Sequence, residues 1–363
     1  MRVLFFGTYD LARHPRALVL AEGLAAHGDD VTECNVPLGL DTSWRVRILQ
    51  KPWLLPVLGA RMGASWTRLW RMARRLGPTD AVVIGYMGHF DVHLARRLWR
   101  KTPVVLDHLV FAADTARDRG VSSSRVNGVL ERLDASALRA ADVICVDTEE
   151  HGALVPSWAQ DRVVVVPVGA PTRWFHRPSR REAGPLEVVF FGLFTPVQGA
   201  PTIGQAIGLL ADRPIRFTLV GSGQQLEKTR AAAAANGNVT WRAWVDAEEL
   251  PKLVAANDVC LGIFGTSPKA GRAVPNKVYQ GAAAGTAVVT SDTPPQRRAL
   301  GDAAVLVPAG DPEALAEALA ELAADEERLW ALREAAYALA EAAFRPEKVT
   351  EPLRERLLSV VGS

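Results

Sequence analysis

The sequence predicts an α/β protein of two doubly wound domains with a cleft between them. Three observations carry this expectation. Short apolar runs rich in Val, Ile, Leu and Phe alternate with amphipathic helical patterns along most of the chain, which is the pattern of parallel strands covered on both faces. The alternation restarts after a turn-rich stretch from Pro167-Val-Gly-Ala-Pro171 to Arg180-Arg-Glu-Ala-Gly-Pro185. The length, 363 residues with 48% hydrophobic composition, suits about two domains of ordinary size.

In the first half, Arg2–Phe6 is an apolar strand closed by Gly7-Thr8. Arg16–His27 follows as a helix, with Leu18, Leu20, Ala21 and Leu24 near helical spacing and Gly28 as its stop. Val31–Cys34, Ala81–Gly85, Pro103–Asp107 and Val143–Asp147 are the next strands. In the second half, Glu187–Phe191, Arg216–Val220, Val239–Arg242, Val259–Ile263, Ala287–Thr290 and Val305–Val307 read as strands between Ala-rich helices. Helices Pro312–Ala324 and Glu326–Ala343 lead into Arg345-Pro346 and a short terminal helix.

Composition narrows the function. Charged residues make up 23% of the chain and the net charge is only +2, so no global field for nucleic acid exists. Cys34, Cys145 and Cys260 lie far apart and form no CxxC pair, which argues against a disulfide framework or a structural zinc site and for a reducing compartment. No signal-peptide pattern opens the sequence and no run approaches the roughly 20 apolar residues of a membrane span. A cytoplasmic protein is expected.

One segment breaks the charge balance. Between Asp41 and Asp80 there is no acidic residue, while Arg45, Arg47, Lys51, Arg61, Arg68, Arg71, Arg74 and Arg75 are interleaved with Trp44, Trp53, Trp66 and Trp70. On a helix from about Ala64 to Leu76, Trp66, Leu69, Trp70 and Ala73 share one face and Arg68, Arg71 and Arg75 another. Such a helix suits an anionic membrane, giving a membrane-peripheral protein through Arg45–Arg75, or an acidic acceptor or carrier protein. The ordinary alternative is an aromatic face packed on a sheet beneath solvated arginines.

Several motifs are absent. Gly221-Ser-Gly223 lacks the third glycine of a dinucleotide fingerprint, and no Walker loop, HExxH or GxSxG occurs. The seven histidines form no metal-like pair, so no metal site is expected. The informative block runs from Gly262 to Gly285, where a strand meets a glycine-containing loop and Pro275 sits at a helix start. Free N–H groups at that start, with Lys269, Arg272 and Lys277, make an anion site. Asn276 and Gln280, four apart, add neutral hydrogen bonds on one face. A phosphate-bearing, hydroxyl-rich ligand is the natural occupant. Phe190-Phe-Gly192-Leu-Phe-Thr195-Pro-Val-Gln198-Gly199 follows the second domain's first strand, and its two glycines allow backbone to approach a phosphate. Gly7-Thr-Tyr9-Asp10, His89 and Asp107-His108 occupy equivalent strand ends in the first domain.

These motifs, with Val166-Pro-Val-Gly169, Arg242-Ala-Trp-Val245, Glu249-Leu250, Ala256-Asn-Asp258-Val, Gly285-Thr-Ala-Val-Val-Thr290 and Leu306-Val-Pro-Ala-Gly-Asp-Pro-Glu-Ala-Leu315, resemble the family 4 glycosyltransferases. The resemblance covers nearly the whole chain and implies the GT-B fold, two Rossmann-like domains. It implies an acceptor-binding domain at 1–168 plus 345–363 and a nucleotide-sugar-binding domain at 169–344. It further implies a retaining hexosyl-type transfer without metal or other cofactor, in which the sugar–diphosphate bond loosens and the acceptor attacks from the same face. The donor side is expected at Gly7, Gly192, Thr195, Gln198, Gly199, Val245, Lys269, Arg272, Asn276, Lys277 and Gln280, with Val245 holding the base through its backbone and Gln280 near the ribose. Tyr9 and Asp10 are expected at the acceptor, with His89, Asp107 and His108 as the catalytic set. The acceptor classes are a small molecule, a lipid-linked sugar or a carrier-bound group.

The chain departs from the family pattern at four positions. Leu193 and Gln198 stand where the family's arginine and lysine meet the donor diphosphate, and Arg272 and Gln280 stand where it has two glutamates. One bacterial branch of the family resembles the chain here, with a GxFxPxxG loop and a PNKVYQ-type helix. Lys269, Arg272 and Lys277 supply positive charge from the opposite loop. The alternative is a non-catalytic protein of the same fold, or a transferase using an unusual, less charged donor.

Overall fold

The computed structural model describes residues 1–10, 15–39, 53, 55–180 and 184–362. The Arg45, Arg47 and Lys51 part of the basic segment, with Asp41 and Trp44, lies outside the described residues, as do residues 181–183 of the turn-rich stretch. The chain forms two compact units. Met1–Arg117, Val121–Pro167 and Thr350–Ser363 make the first, and Asp118–Gly120 with Val168–Val349 make the second.

The first unit runs β1 (Arg2–Gly7), α1 (Arg16–Ala26), β2 (Asp30–Asn35), α2 (Leu55–Ala73), β3 (Ala81–Ile84), α3 (Asp91–Leu98), β4 (Val104–Asp107), α4 (Ala112–Asp118), α5 (Ser124–Ala140), β5 (Val143–Val146), α6 (Glu149–Gly152) and β6 (Val163–Val165). The strands form one parallel sheet in the order β2-β1-β3-β4-β5-β6. Alternation along the strands fills two cores. Leu4, Phe6, Val82, Ile84, Val104 and Leu106 face one way, while Val3, Phe5, Val83, Val105 and Val143 face the other. The order reverses between β1 and β3, so their carboxyl ends frame the switch point where open α/β sheets bind ligands.

The second unit continues with β7 (Leu186–Phe191), α7 (Ala200–Leu209), β8 (Ile215–Val220), α8 (Leu226–Ala232), β9 (Val239–Arg242), α9 (Leu250–Ala255), β10 (Val259–Leu261), α10 (Asn276–Ala283), β11 (Ala287–Ser291), α11 (Pro294–Leu300), β12 (Ala304–Val307), α12 (Pro312–Ala324) and α13 (Glu326–Leu339). Its sheet is also parallel, β12-β11-β10-β7-β8-β9, with the switch point between β7 and β10. Asp311 and Asp325 cap α12 and α13 by accepting from the Ala314 and Arg328 backbone N–H groups, each at 2.9 Å.

The last helix, α14 (Pro346–Val361), is 16 residues long and corrects the expectation of a short one. Leu353 and Leu357 are fully buried in the first unit's core, and Arg354 reaches Asp29 at 3.0 Å. The helix expected over Glu326–Ala343 passes into a π-helical turn at Ala340–Phe344. β6 was not expected: its three valines are half-buried at a sheet edge and lack the flanking alternation that marks the other strands. On α2, Ser65 and Leu69 are buried and Trp66 and Ala73 pack on the core. Trp70 leaves the expected apolar face. It is 40% exposed and lies under the Arg74 guanidinium at 4.4 Å, because it sits 100° round the helix from Leu69.

Candidate functional site

In the second unit the switch point is built by glycine loops that pack on one another. Gly199 has φ +62° and caps α7 in the left-handed conformation. A Cβ there would lie 2.3 Å from the Phe264 carbonyl carbon and 2.4 Å from the Gly265 nitrogen, so the loops after β7 and β10 touch through bare backbone. The Phe264 N–H donates to the Gln198 carbonyl at 3.0 Å across this contact. A third loop, Gly221-Ser-Gly223, braces the first: the Gly192 N–H donates to the Val220 carbonyl at 3.0 Å and the Phe194 N–H to Ser222 at 2.9 Å. Sequence reading tested this GSG only against a dinucleotide fingerprint and so missed its bracing role.

α10 begins at Asn276, with Pro275 at its cap and no side chain closing the free N–H groups. Lys277 follows immediately and is buried. Its Nζ donates to Gln198 Oε1 and sits 3.7 Å from the centre of the Phe190 ring, beside the bare face of Gly192. Burial pulls the Lys277 amine down to about 7. Gln280 is buried on the same helix, while Thr195, Val245, Lys269, Arg272 and Asn276 are half-buried around these loops and on the β9 side. The structure therefore brings Gly192, Gln198, Gly199 and Lys277 together directly. Gly7 belongs to the first unit.

The first unit's switch point is equally crowded. Asp91 on α3 accepts from the Thr8 N–H, the Thr8 hydroxyl and Trp66 Nε1, each at 2.8 Å, and burial raises its carboxyl above the usual range. Tyr9 is buried, and its hydroxyl donates to Glu33 at 2.8 Å. Asp10 follows at the described edge of this loop. Among the catalytic candidates, His89 and His108 come together with ring centres 5.0 Å apart, both buried. His89 Nε2 bonds Asp134 at 2.9 Å, and Asp134 also accepts from the Ala112 and Ala113 N–H groups at 2.8 and 3.2 Å. The reading that no histidines pair in a metal-like way is corrected here. One ligand-type atom each from His89, His108 and Asp134 lies within 4.8 Å of the others, although Asp134 already serves as a hydrogen-bond acceptor for three donors. Asp134 carries no sequence signal, being one of two acids on α5.

Asp107 is 1% exposed and pairs not with the histidines but with Arg16, whose Nε lies 3.2 Å away. Burial pushes the Asp107 carboxyl up to about 6 despite that partner. The folded value therefore lies above the ordinary carboxylate value near 3.9. Its contribution to stability is complete below about pH 4 and lost as the pH rises to about 6. Asp107→Asn is expected to remove that fall. Urea unfolding of both proteins at pH 4, 5, 6 and 7 checks this, and parallel pH profiles for the two would refute it.

Comparison with known proteins now bears on these loops. Residues 185–325, which hold the glycine loops packed at the second unit's switch point and Lys277, match the family described as Glycosyl transferases group 1. No curated protein sequence matches the chain. Among solved structures, sucrose-phosphate synthase (tll1590) from Thermosynechococcus elongatus is similar with a TM-score of 0.74 at 15% identity, over 99% of this chain and 98% of that one. The fold is GT-B. Anabaena Alr3699/HepE, solved in complex with UDP-glucose, is a GT-B neighbour with a TM-score of 0.70 at 14% identity, over 99% of this chain and 100% of that one. The pneumococcal O-GlcNAc transferase GtfA, solved with UDP and GlcNAc, matches with a TM-score of 0.60 at 14% identity, over 82% of this chain and 60% of that one. Among the described residues of this GT-B chain, no helix is long and apolar enough to cross a membrane.

Proposed function

We propose that the protein is a glycosyltransferase that moves a sugar from a nucleotide-activated donor to an acceptor, with retention at the anomeric carbon and without a metal. The observation that carries this reading is Lys277, a buried lysine on a helix start, set among glycine loops at the switch point of a group 1 glycosyltransferase domain. Residues 169–344 bind the donor, with Gly192, Thr195, Gln198 and Gly199 on one loop and Lys269, Arg272, Asn276, Lys277 and Gln280 on the other. Val245 takes the base through its backbone. The cations and the free N–H groups of α10 stabilise the departing diphosphate, where charge grows as the sugar–oxygen bond breaks. Residues 1–168 and 345–363 serve the acceptor, through Tyr9 and Asp10. His89 and His108 are the hydrogen-bonding groups offered to a sugar hydroxyl, and Asp107 holds their loop through Arg16.

The GT-B neighbours solved with UDP or UDP-glucose support a uridine donor, and a uridine nucleotide comes first in the test. Exposed Arg68, Arg71 and Arg75, with Trp53 and Trp70, favour a lipid-linked or carrier-bound acceptor over a small free one, and with it a cytoplasmic, membrane-peripheral setting. Calorimetric titration with UDP, GDP, TDP, ADP and CMP tests the donor site. One nucleotide is expected to bind, and Lys277→Met to weaken it by about 1–3 kcal/mol, the scale of a lost charged hydrogen bond. Absence of binding by the folded protein would favour the second reading, a non-catalytic protein or a transferase with a less charged donor. That reading rests on Leu193 and Gln198, which leave the first loop without a cation.

A further inference from the structure

Lys277 differs from the other cations of its unit in what surrounds it. The groups facing its amine are the Phe190 ring on β7, the Gln198 amide and bare Gly192 on the loop, and the Cys260 thiol on β10. The first three are uncharged, and burial pushes the thiol up to about 12, so it is neutral as well. Among the described residues no carboxylate forms an ion pair with Lys277. A buried ammonium held by one neutral amide and a ring face is poorly compensated, and the state that relieves it is the neutral amine. Gly192 presents no side chain toward the amine: a Cβ there would come within 3.2 Å of Nζ.

We propose that binding of a diphosphate donor at this loop is coupled to uptake of one proton by Lys277. The inference rests on the donor-site reading above and adds its regulation by pH. In the unliganded protein the amine, lowered to about 7 by burial, is partly uncharged near neutrality. A diphosphate beside Nζ favours the ammonium, so solvent supplies a proton and the N–H donors of the new ammonium face the phosphate oxygens. The sign follows from linkage. Affinity is constant at pH values well below 7 and falls above it, by up to tenfold per pH unit, until the pH reaches the raised value of the liganded amine. A solvent-exposed lysine, charged throughout this range, would give no such dependence.

The test is calorimetry on the full chain with UDP-glucose, GDP-mannose, ADP-glucose and TDP-glucose, whose diphosphate diesters stay fully ionised between pH 6 and 8. Each titration is run in two phosphate-free buffers of different ionisation enthalpy, MES and Bis-Tris at pH 6 and HEPES and Tris at pH 8. For the nucleotide sugar that binds, uptake approaching one proton per molecule is expected at pH 8 and little at pH 6, with about a fivefold loss of affinity between pH 7 and 8. Lys277→Met and Lys277→Arg are both expected to abolish the proton uptake. The wild-type buffer comparison stands without either variant. Binding with no proton uptake at pH 8, or uptake that survives in Lys277→Met, overturns the coupling and leaves the donor site intact. No binding by any of the four at pH 6 overturns the donor site itself.

Discussion

Arg16→Met is expected to destabilise the first unit by about 3–5 kcal/mol, the cost of leaving one partner of a buried ion pair alone. Arg16 is 1% exposed at the first turn of α1. Its Nε meets Asp107 at the end of β4 at 3.2 Å, and its Nη1 donates to the Pro167 carbonyl at 2.5 Å. One side chain thus ties a helix, a central strand and the chain leaving the sheet. Methionine fills much of the space but offers neither contact, so Asp107 must be protonated or buried charged. Urea unfolding at pH 7 measures the loss. The double variant Arg16→Met/Asp107→Leu is expected to recover most of it, because no unpaired charge then remains. A single-variant loss below about 1 kcal/mol, the scale of an exposed pair, would mean that the pair is solvated.

Gly199→Val is expected to cost about 2–6 kcal/mol and to abolish nucleotide binding, adding about 1–3 kcal/mol of left-handed backbone strain to a similar cost of overpacking. The residue has φ +62°, which a β-branched side chain resists, and its new Cβ would stand 2.3 Å from the Phe264 carbonyl carbon. The obstruction is backbone on a neighbouring loop, so no rotamer change relieves it. Gly237, where an added Cβ meets nothing within 4 Å, provides the contrast: Gly237→Ala is expected to stay within about 0.5 kcal/mol of the wild type. Thermal unfolding and UDP titration of the two variants separate the outcomes. Wild-type stability in Gly199→Val would show that the loops do not pack as described.

Fold and site were unequally legible. The central strands announced themselves because both faces are buried: β3, β4 and β5 are apolar at nearly every position and bounded by turn residues. β6 escaped because three half-buried valines before a proline look the same in a loop. The glycines at 192 and 199 could be read as sites of close backbone approach, since only glycine serves there. What they approach could not, because Phe264 and Lys277 arrive from far along the chain. The sequence places Lys277 in an anion site with Lys269 and Arg272, but its burial over Phe190 emerges only from packing. For the same reason Asp107 and His108, adjacent in sequence, suggest one catalytic pair, yet alternation along β4 sends the carboxylate to Arg16 and leaves the imidazole with His89 and Phe111.

The last helix has a consequence for how the protein is made. Leu353 and Leu357 belong to the core that Val3, Phe5 and Leu20 begin, and Arg354 shares Asp29 with the amino group of Met1. The first unit therefore lacks part of its interior until residues 350–363 have left the ribosome. The second is nearly continuous from Val168 to Val349 and is complete before them. The usual order of synthesis, in which the domain translated first also folds first, is inverted. The early-made half must wait, with its sheet uncovered along α14's seat, for the chain to come back to it.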